Sequence, residues 1–180
     1  MKKGLTMLEL MIVIAIVGFA LIGLLISYIS SLNLSEFDRN LTIAMNIARE
    51  KMEELYNARD LSFTDLGNSL CAGAPVGVPN CTVVAAGNNK TVSCGLANIQ
   101  GVYHGFNGSC TVYIKDKAAG SVPTGQIKEA RVIVCWRQRL GNIIGEDRNL
   151  NGALDAGEDT GGVSGELDSP CELISAFVKR

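Results

Sequence analysis

The chain has 180 residues, of which 47% are hydrophobic and 19% are charged, with a formal net charge of −2. This composition excludes a disordered chain, and the small net charge gives no reason to expect a nucleic-acid partner. The length is sufficient for one ordinary domain and an appendage.

The N-terminal region contains a candidate membrane span. Residues 10–29 include no charged side chain, and ~20 apolar residues are enough to cross a bilayer as a helix. Lys2 and Lys3 precede this segment, which places the N-terminus in the cytoplasm by the positive-inside tendency. An ordinary cleaved signal peptide fits less well. Its apolar core is usually shorter than this segment, and it ends in an A-x-A cleavage site, which does not follow this segment.

Residues 5–58 are predicted to form one long helix that no proline interrupts. Its first half is apolar all round, as burial in a membrane requires. Its second half is amphipathic, with an apolar stripe that recurs every three or four residues. The stripe consists of Leu34, Phe37, Leu41, Ala44, Ala48, Met52 and Leu55. We therefore expect the C-terminal half of the helix to pack against the domain that follows.

The remainder of the chain, residues 59–180, has the composition of a β-rich head. Glycine, proline, asparagine and serine become frequent, and short alternating segments predict strands at residues 82–86, 91–94, 110–115, 129–139 and 172–179. Several antiparallel strands next to a single helix predict an α+β fold. We expect a long N-terminal α-helix packed on an antiparallel β-sheet head.

The six cysteines all follow the apolar segment, at Cys71, Cys81, Cys94, Cys110, Cys135 and Cys171. An even number in the presumed extracytoplasmic part predicts three disulfides formed in an oxidising compartment. Six cysteines allow fifteen connectivities. Expected strand pairing favours Cys135 with Cys171, and the links Cys94 with Cys110 and Cys71 with Cys81 would then follow.

No catalytic constellation is visible in the sequence. His104 is the only histidine, and no nucleophile or carboxylate stands at motif spacing from it. A zinc site is also disfavoured, because no close cysteine pair is followed by a histidine pair. We therefore predict a protein that is not an enzyme.

A twelve-residue acidic segment, residues 147–158, matches the EF-hand loop pattern D-x-[DN]-x-[DN]-G-x5-E. Calcium prefers six to eight oxygen ligands, and the candidate ligands are Asp147, Asn149, Asn151, the backbone carbonyl of Ala153, Asp155 and Glu158. Gly152 permits the sharp turn, and Leu154 is expected to point into the core. The alternative is a solvated Asn/Gly/Asp turn that binds no metal.

The sequence around this loop predicts no flanking helices, so it would be an EF-hand-like loop on a β-rich head. An unpaired site of this kind is expected to bind calcium with a Kd of about 10⁻⁴–10⁻³ M. Calcium would have a structural role there, because it would order a surface loop that carries three carboxylates.

Residues 2–9, with the sequence KKGLTMLE, and the apolar stretch after them resemble the N-terminus of the type IV pilin superfamily with its class III prepilin leader. This superfamily includes pilins, minor pilins and type II secretion pseudopilins. Residues 46–56 resemble the corresponding helix more loosely. Many pilins begin the mature chain with phenylalanine, where this chain has Leu5. Many major pilins also carry a proline in the apolar helix, which residues 21–26 lack.

The resemblance implies how the chain is processed and assembled. Residues 1–4 would be a leader that a prepilin peptidase removes between Gly4 and Leu5, and the new amine of Leu5 would be methylated. Glu9 would then pair with the Leu5 amine of a neighbouring subunit. Opposite charges a few ångströms apart attract by several kcal/mol at an effective dielectric constant near 20.

The expected function is that of a structural subunit of a type IV pilus-like filament or a type II secretion pseudopilus. The expected partners are other pilin-like subunits, a prepilin peptidase and an inner-membrane assembly platform. The chain would lie in the cytoplasmic membrane before assembly and in an extracellular or periplasmic filament afterwards. The alternative is a signal-anchored extracytoplasmic calcium-dependent binding or adhesion module that does not polymerise, which leaves Gly4 and Glu9 unexplained.

Overall fold

The computed structural model describes residues 7–63, 66, 70, 81–86, 89–94, 105–117 and 125–179. This part of the chain contains a long helix followed by strands, which confirms the predicted α+β class. The elements are α1 (Met7–Leu61), β1 (Cys81–Ala86), β2 (Asn89–Cys94), β3 (Gly108–Asp116), β4 (Ile127–Arg137), β5 (Ile143–Ile144) and β6 (Cys171–Val178). The chain divides into two compact units, one ending at Arg39 and the other beginning at Asn40.

The first unit is the N-terminal part of α1. Apolar side chains occupy most of it from Met7 to Leu34, and they are exposed on every side of the helix. Among the described residues, α1 contains a stretch long and apolar enough to cross a membrane. A signal sequence near the N-terminus can meet the same criterion of length and composition.

The second unit begins with the C-terminal part of α1, which packs on one face of the sheet. Ala48 and Leu55 are fully buried, as the apolar stripe predicts. The ring centroids of Tyr56 and Phe177 lie 4.8 Å apart, and the hydroxyl groups of Tyr56 and Ser175 are 2.6 Å apart. The prediction that this half of the helix belongs to the core of the head is therefore confirmed.

The strands form an antiparallel six-stranded sheet in the described part of the chain, in the order β1-β2-β3-β4-β5. Strand β6 pairs with residues 127–134 of β4, and β5 pairs with residues 136 and 137. These two strands therefore follow one another along the same edge of β4. The five predicted strands agree with the observed ones to within two residues at each end. Strand β5, which has only two residues, was not predicted.

Both faces of the central strands β3 and β4 are buried over most of their length. One face, which includes Val112 and Val132, lies beneath α1. The opposite face carries Tyr113, Ile133 and Cys135, and these side chains form an apolar cluster with Leu150 and Leu167. Over β3 and β4 this second face is therefore covered by the long segment between β5 and β6, which includes the acidic loop, whereas Ile174 and Val178 of β6 are exposed.

Candidate functional site

The acidic loop, residues 147–158, is attached to the sheet by apolar side chains. Leu150 is 1% exposed and belongs to the cluster on the second face of the sheet. Its φ of 58° lies in the left-handed region, which is uncommon for a residue other than glycine. Leu154 packs against the same cluster, so the prediction that it points into the core is confirmed.

The first carboxylate of the loop is fully enclosed. Asp147 is 0% exposed, and its Oδ1 accepts a hydrogen bond from the Asn151 amide at 3.1 Å. Its Oδ2 accepts one from the Gly152 amide at 2.7 Å and another from the Ser109 hydroxyl. Gly152 has a φ of 77°, so a residue with a side chain would be strained at this turn.

Burial raises the pKa of Asp147, although the hydrogen bonds from Ser109, Gly152 and Asn151 act in the opposite direction. Taking a carboxylate out of water is unfavourable unless a positive charge or several donors replace the lost hydration. A cation bound in the loop would provide that charge.

The last carboxylate closes the loop onto its beginning. Glu158 is 4% exposed. Its Oε1 accepts a hydrogen bond from the Arg148 amide at 2.7 Å, and its Oε2 accepts one from the Asp155 amide at 3.0 Å. The side chain of Glu158, the last residue of the motif, is therefore bonded to the backbone of Arg148, the second residue, ten positions earlier.

The middle positions converge on one oxygen. Asp155 Oδ2 accepts hydrogen bonds from the side-chain amides of Asn149 at 2.6 Å and Asn151 at 2.9 Å. The Oδ1 atom of Asn151 accepts one from the Ala153 amide at 2.7 Å. The structure thus joins all six predicted ligand residues in one hydrogen-bonded network. Calcium would have to replace the two amide contacts to Asp155.

The candidate ligand atoms of the loop are oxygens of three kinds: carboxylate, side-chain amide and backbone carbonyl. Within the described residues, no three histidine, cysteine, aspartate or glutamate side chains form a group that could hold a metal ion. The loop instead offers three carboxylates, two amide oxygens and the carbonyl of Ala153. Hard oxygen donors from alternate positions suit calcium, whereas a transition metal prefers nitrogen or sulfur. By residue type and spacing the loop therefore fits calcium, although its three carboxylates do not form a metal-binding group in this structure.

The cysteine residues do not pair as expected. Cys171 lies opposite Val134 in the register of β4 and β6, so it shares a face with Val134 while the adjacent Cys135 points to the other face. Two cysteines whose Cβ vectors point apart cannot be bridged. Both are buried thiols, and burial raises the pKa of each to about 11. The predicted Cys135–Cys171 disulfide is therefore wrong.

The remaining cysteines leave the disulfide prediction open. In the backbone register, Cys94 lies opposite Cys110 in β3 and opposite Cys81 in β1. Directly opposed residues of antiparallel strands have Cα atoms about 4.5–5.5 Å apart, a spacing that a disulfide can bridge. Cys71 and the side chains of Cys81 and Cys94 lie outside the described residues.

A buried arginine network was not anticipated from the sequence. Arg131 is 7% exposed and donates hydrogen bonds to Glu166 at 2.8 Å, to Asp168 and to Glu172. Lys115 contacts the same Glu166. These ion pairs fix the end of the loop segment to β4. The sequence signal was an arginine in the middle of the most apolar strand, which needs acidic partners when it is buried.

The predicted processing and assembly residues are only partly described. Glu9 lies in the first turn of α1 and is exposed, among the apolar side chains of the first unit. Gly4 and Leu5, where cleavage is expected, lie outside the described residues, as does His104. The predicted roles of Glu9 in assembly and of Gly4 and Leu5 in cleavage therefore stay predictions.

Comparison of the chain with protein-family models, curated proteins and solved structures finds no match. Function must therefore be inferred from the pilin-like architecture, in which a long apolar N-terminal helix packs on an antiparallel sheet, and from the chemistry of these residues.

Proposed function

We propose that this chain is a structural subunit of a type IV pilus-like filament or a type II secretion pseudopilus. The observation that carries this proposal is the helix Met7–Leu61. Its first part exposes apolar side chains on all sides, and its last part is the core of an antiparallel head. An apolar surface of this extent is unstable in water. In this proposal lipid covers the surface before assembly, and the helices of other subunits cover it afterwards.

Glu9 supports assembly rather than simple anchoring. An acidic side chain costs about 2.5–3.5 kcal/mol at the centre of a membrane helix and less near an interface, where Glu9 lies, and such residues normally have a partner. In the proposed filament that partner is the methylated amine of Leu5 in a neighbouring subunit, after a prepilin peptidase has cut the chain behind Gly4. Burial of apolar area, at about 25 cal/mol per Å², would stabilise the bundle, and the ion pair would fix its register.

Calcium is part of the proposal. In the loop of residues 147–158 it would bind Asp147, Asn149, Asn151, Ala153, Asp155 and Glu158, and it would neutralise carboxylates that the fold partly buries. The ion would supply positive charge and fixed coordination, and it would have no catalytic role. The loop covers one face of the sheet, so its order contributes to the stability of the head.

The mass of the mature N-terminus tests this function. The chain is purified from cells that contain a prepilin peptidase, and its first peptide is measured by mass spectrometry. A chain that begins with methylated Leu5 supports the filament subunit. A chain that retains Met1 contradicts it and favours the anchored, non-polymerising module. A Gly4→Val variant is the matched control, because it should keep its leader.

A further inference from the structure

The acidic loop lacks the support that an EF-hand normally has. A paired EF-hand holds its loop between two helices, whereas this loop follows the two-residue strand β5. Residues 145–170, all of which are described, contain turns and bends and no helix. Another part of the fold must therefore hold the ligand residues in position.

Strand β3 holds the loop in position through two side-chain hydrogen bonds. The Ser109 hydroxyl donates a hydrogen bond to Asp147 Oδ2, and the Thr111 hydroxyl donates one to the Gly152 carbonyl at 2.7 Å. Ser109 and Thr111 are each 1% exposed. They are two residues apart on one strand, so both side chains point to the face that the loop covers. They reach the first and the sixth positions of the loop.

The hydrogen bond from Ser109 also determines which oxygen of Asp147 is available to a cation. Oδ2 accepts from Ser109 and from the Gly152 amide, which occupies both of its lone pairs. Oδ1 accepts from the Asn151 amide alone and keeps one lone pair. The serine therefore orients the carboxylate with Oδ1 as the metal-binding atom.

Thr111 fixes the turn at the centre of the loop. Gly152 donates its amide to Asp147 and accepts from Thr111 through its carbonyl. Both backbone polar groups of Gly152 are thus hydrogen-bonded, and the left-handed conformation of this residue reverses the direction of the chain. The turn is thereby fixed relative to β3, and so are the ligand positions on either side of it.

We propose that Ser109 and Thr111 are positioning residues for calcium, which do for this loop what flanking helices do for an EF-hand. The inference rests on the proposed calcium site. Groups that orient metal ligands typically change metal affinity by about 10–100-fold when they are removed. Ser109→Ala and Thr111→Val should each raise the calcium Kd by about that factor. Thr111→Ser keeps the hydroxyl and should bind nearly as well as the unchanged chain.

The test is isothermal titration calorimetry of the full chain in detergent micelles with calcium chloride. Ser175→Ala is the matched control, because the Ser175 hydroxyl pairs with Tyr56 on the other face of the sheet. Its Kd should stay within about twofold of the unchanged chain, well below the effect of removing a positioning group. The fluorescence of Trp136, the only tryptophan, reports whether each variant is folded.

Three results are decisive. Weakened binding in Ser109→Ala and Thr111→Val, with normal binding in Thr111→Ser and Ser175→Ala, supports the positioning role. If the unchanged chain binds calcium and neither Ser109→Ala nor Thr111→Val weakens the binding, the positioning role is overturned and the calcium site is retained. No heat signal for the unchanged chain at millimolar calcium overturns both. If Ser109→Ala does not fold, comparison of Thr111→Val with Thr111→Ser decides, because a packing defect would affect the serine variant more.

Discussion

Replacement of Arg131 by methionine is expected to cause the largest loss of stability among the polar substitutions in the head. Arg131 is 7% exposed, and the side chain of its partner Glu166 is 4% exposed. The side chains of Asp168 and Glu172 are 23% and 27% exposed, so water can replace the arginine there more easily. Removing one partner of a buried ion pair costs about 3–5 kcal/mol, and without Arg131 the buried Glu166 keeps only the half-exposed Lys115 as a partner.

The effect is measured as the free energy of unfolding in urea, followed by the fluorescence of Trp136, which is fully buried. We expect Arg131→Met to lower it by about 3 kcal/mol. For a chain of this size each kcal/mol corresponds to about 2–4 °C, so the melting temperature should fall by about 6–12 °C. Lys115→Met is the control. Its side chain is 44% exposed, and Glu166 keeps Arg131 as a partner when Lys115 is replaced, so this substitution should cost at most about 1 kcal/mol.

A double variant separates loss of packing from loss of charge compensation. In Arg131→Met with Glu166→Gln the buried charge of Glu166, which Lys115 alone compensates only in part, is absent, so part of the lost stability should return. The reasoning is refuted if Arg131→Met costs less than about 1 kcal/mol, or if removing the charge of Glu166 makes the double variant less stable than the single one.

Three further predictions concern the loop, the helix and the thiols. With a calcium Kd near 1 mM, 10 mM calcium should stabilise the head by about 1.4 kcal/mol and raise its melting temperature by about 3–6 °C; Glu158→Gln should abolish this shift, and an equal shift with magnesium would argue against a calcium site. Leu55→Ala should cost about 2–5 kcal/mol in urea unfolding because it leaves a cavity between α1 and the sheet, whereas a cost below about 1 kcal/mol would contradict that packing. The pKa of the Cys171 thiol is raised from 9.0 to about 11, so the stability that the buried thiol contributes is complete below pH 9 and is lost as the pH rises towards 11. The free energy of unfolding should therefore depend less on pH between pH 8 and pH 11 in Cys171→Ala. An unchanged pH profile would contradict the burial of the thiol.

The helix, the longer strands and the acidic loop were predictable because each depends on a local pattern. The apolar stripe of residues 34–55 has the period of a helix, although Leu34 at its start is exposed, and the strands alternate or are wholly apolar. The loop was recognisable because calcium coordination requires particular residue types at fixed spacing. The inward position of Leu154 followed from that same pattern and agrees with the structure.

The features that sequence reasoning missed depend on contacts between distant residues. Ser109 lies 38 residues from Asp147, and Arg131 lies 35 residues from Glu166. No periodicity indicates which strand faces which loop. Polar residues at 109 and 111, on alternate positions among the apolar residues of β3, were a usable signal that a polar partner covers that face.

The disulfide error has a simple geometric origin. Pairing between β4 and β6 was expected, and it is observed. The register, however, places Cys171 opposite Val134 instead of Cys135. Because side chains alternate along a strand, a difference of one residue moves a side chain to the other face of the sheet. Sequence alone identified the strands but did not determine their register to one residue.

The most direct test of filament assembly is the amount of chain in fibres sheared from cells that express the Glu9→Gln variant. Glu53→Gln is the matched control, because Glu53 is an exposed glutamate on the same helix that lies beyond the apolar segment. We predict that the Glu53 variant is recovered in fibres at the normal level and that the Glu9 variant remains in the membrane. Recovery of both variants in fibres at the normal level would contradict assembly through the carboxylate of Glu9.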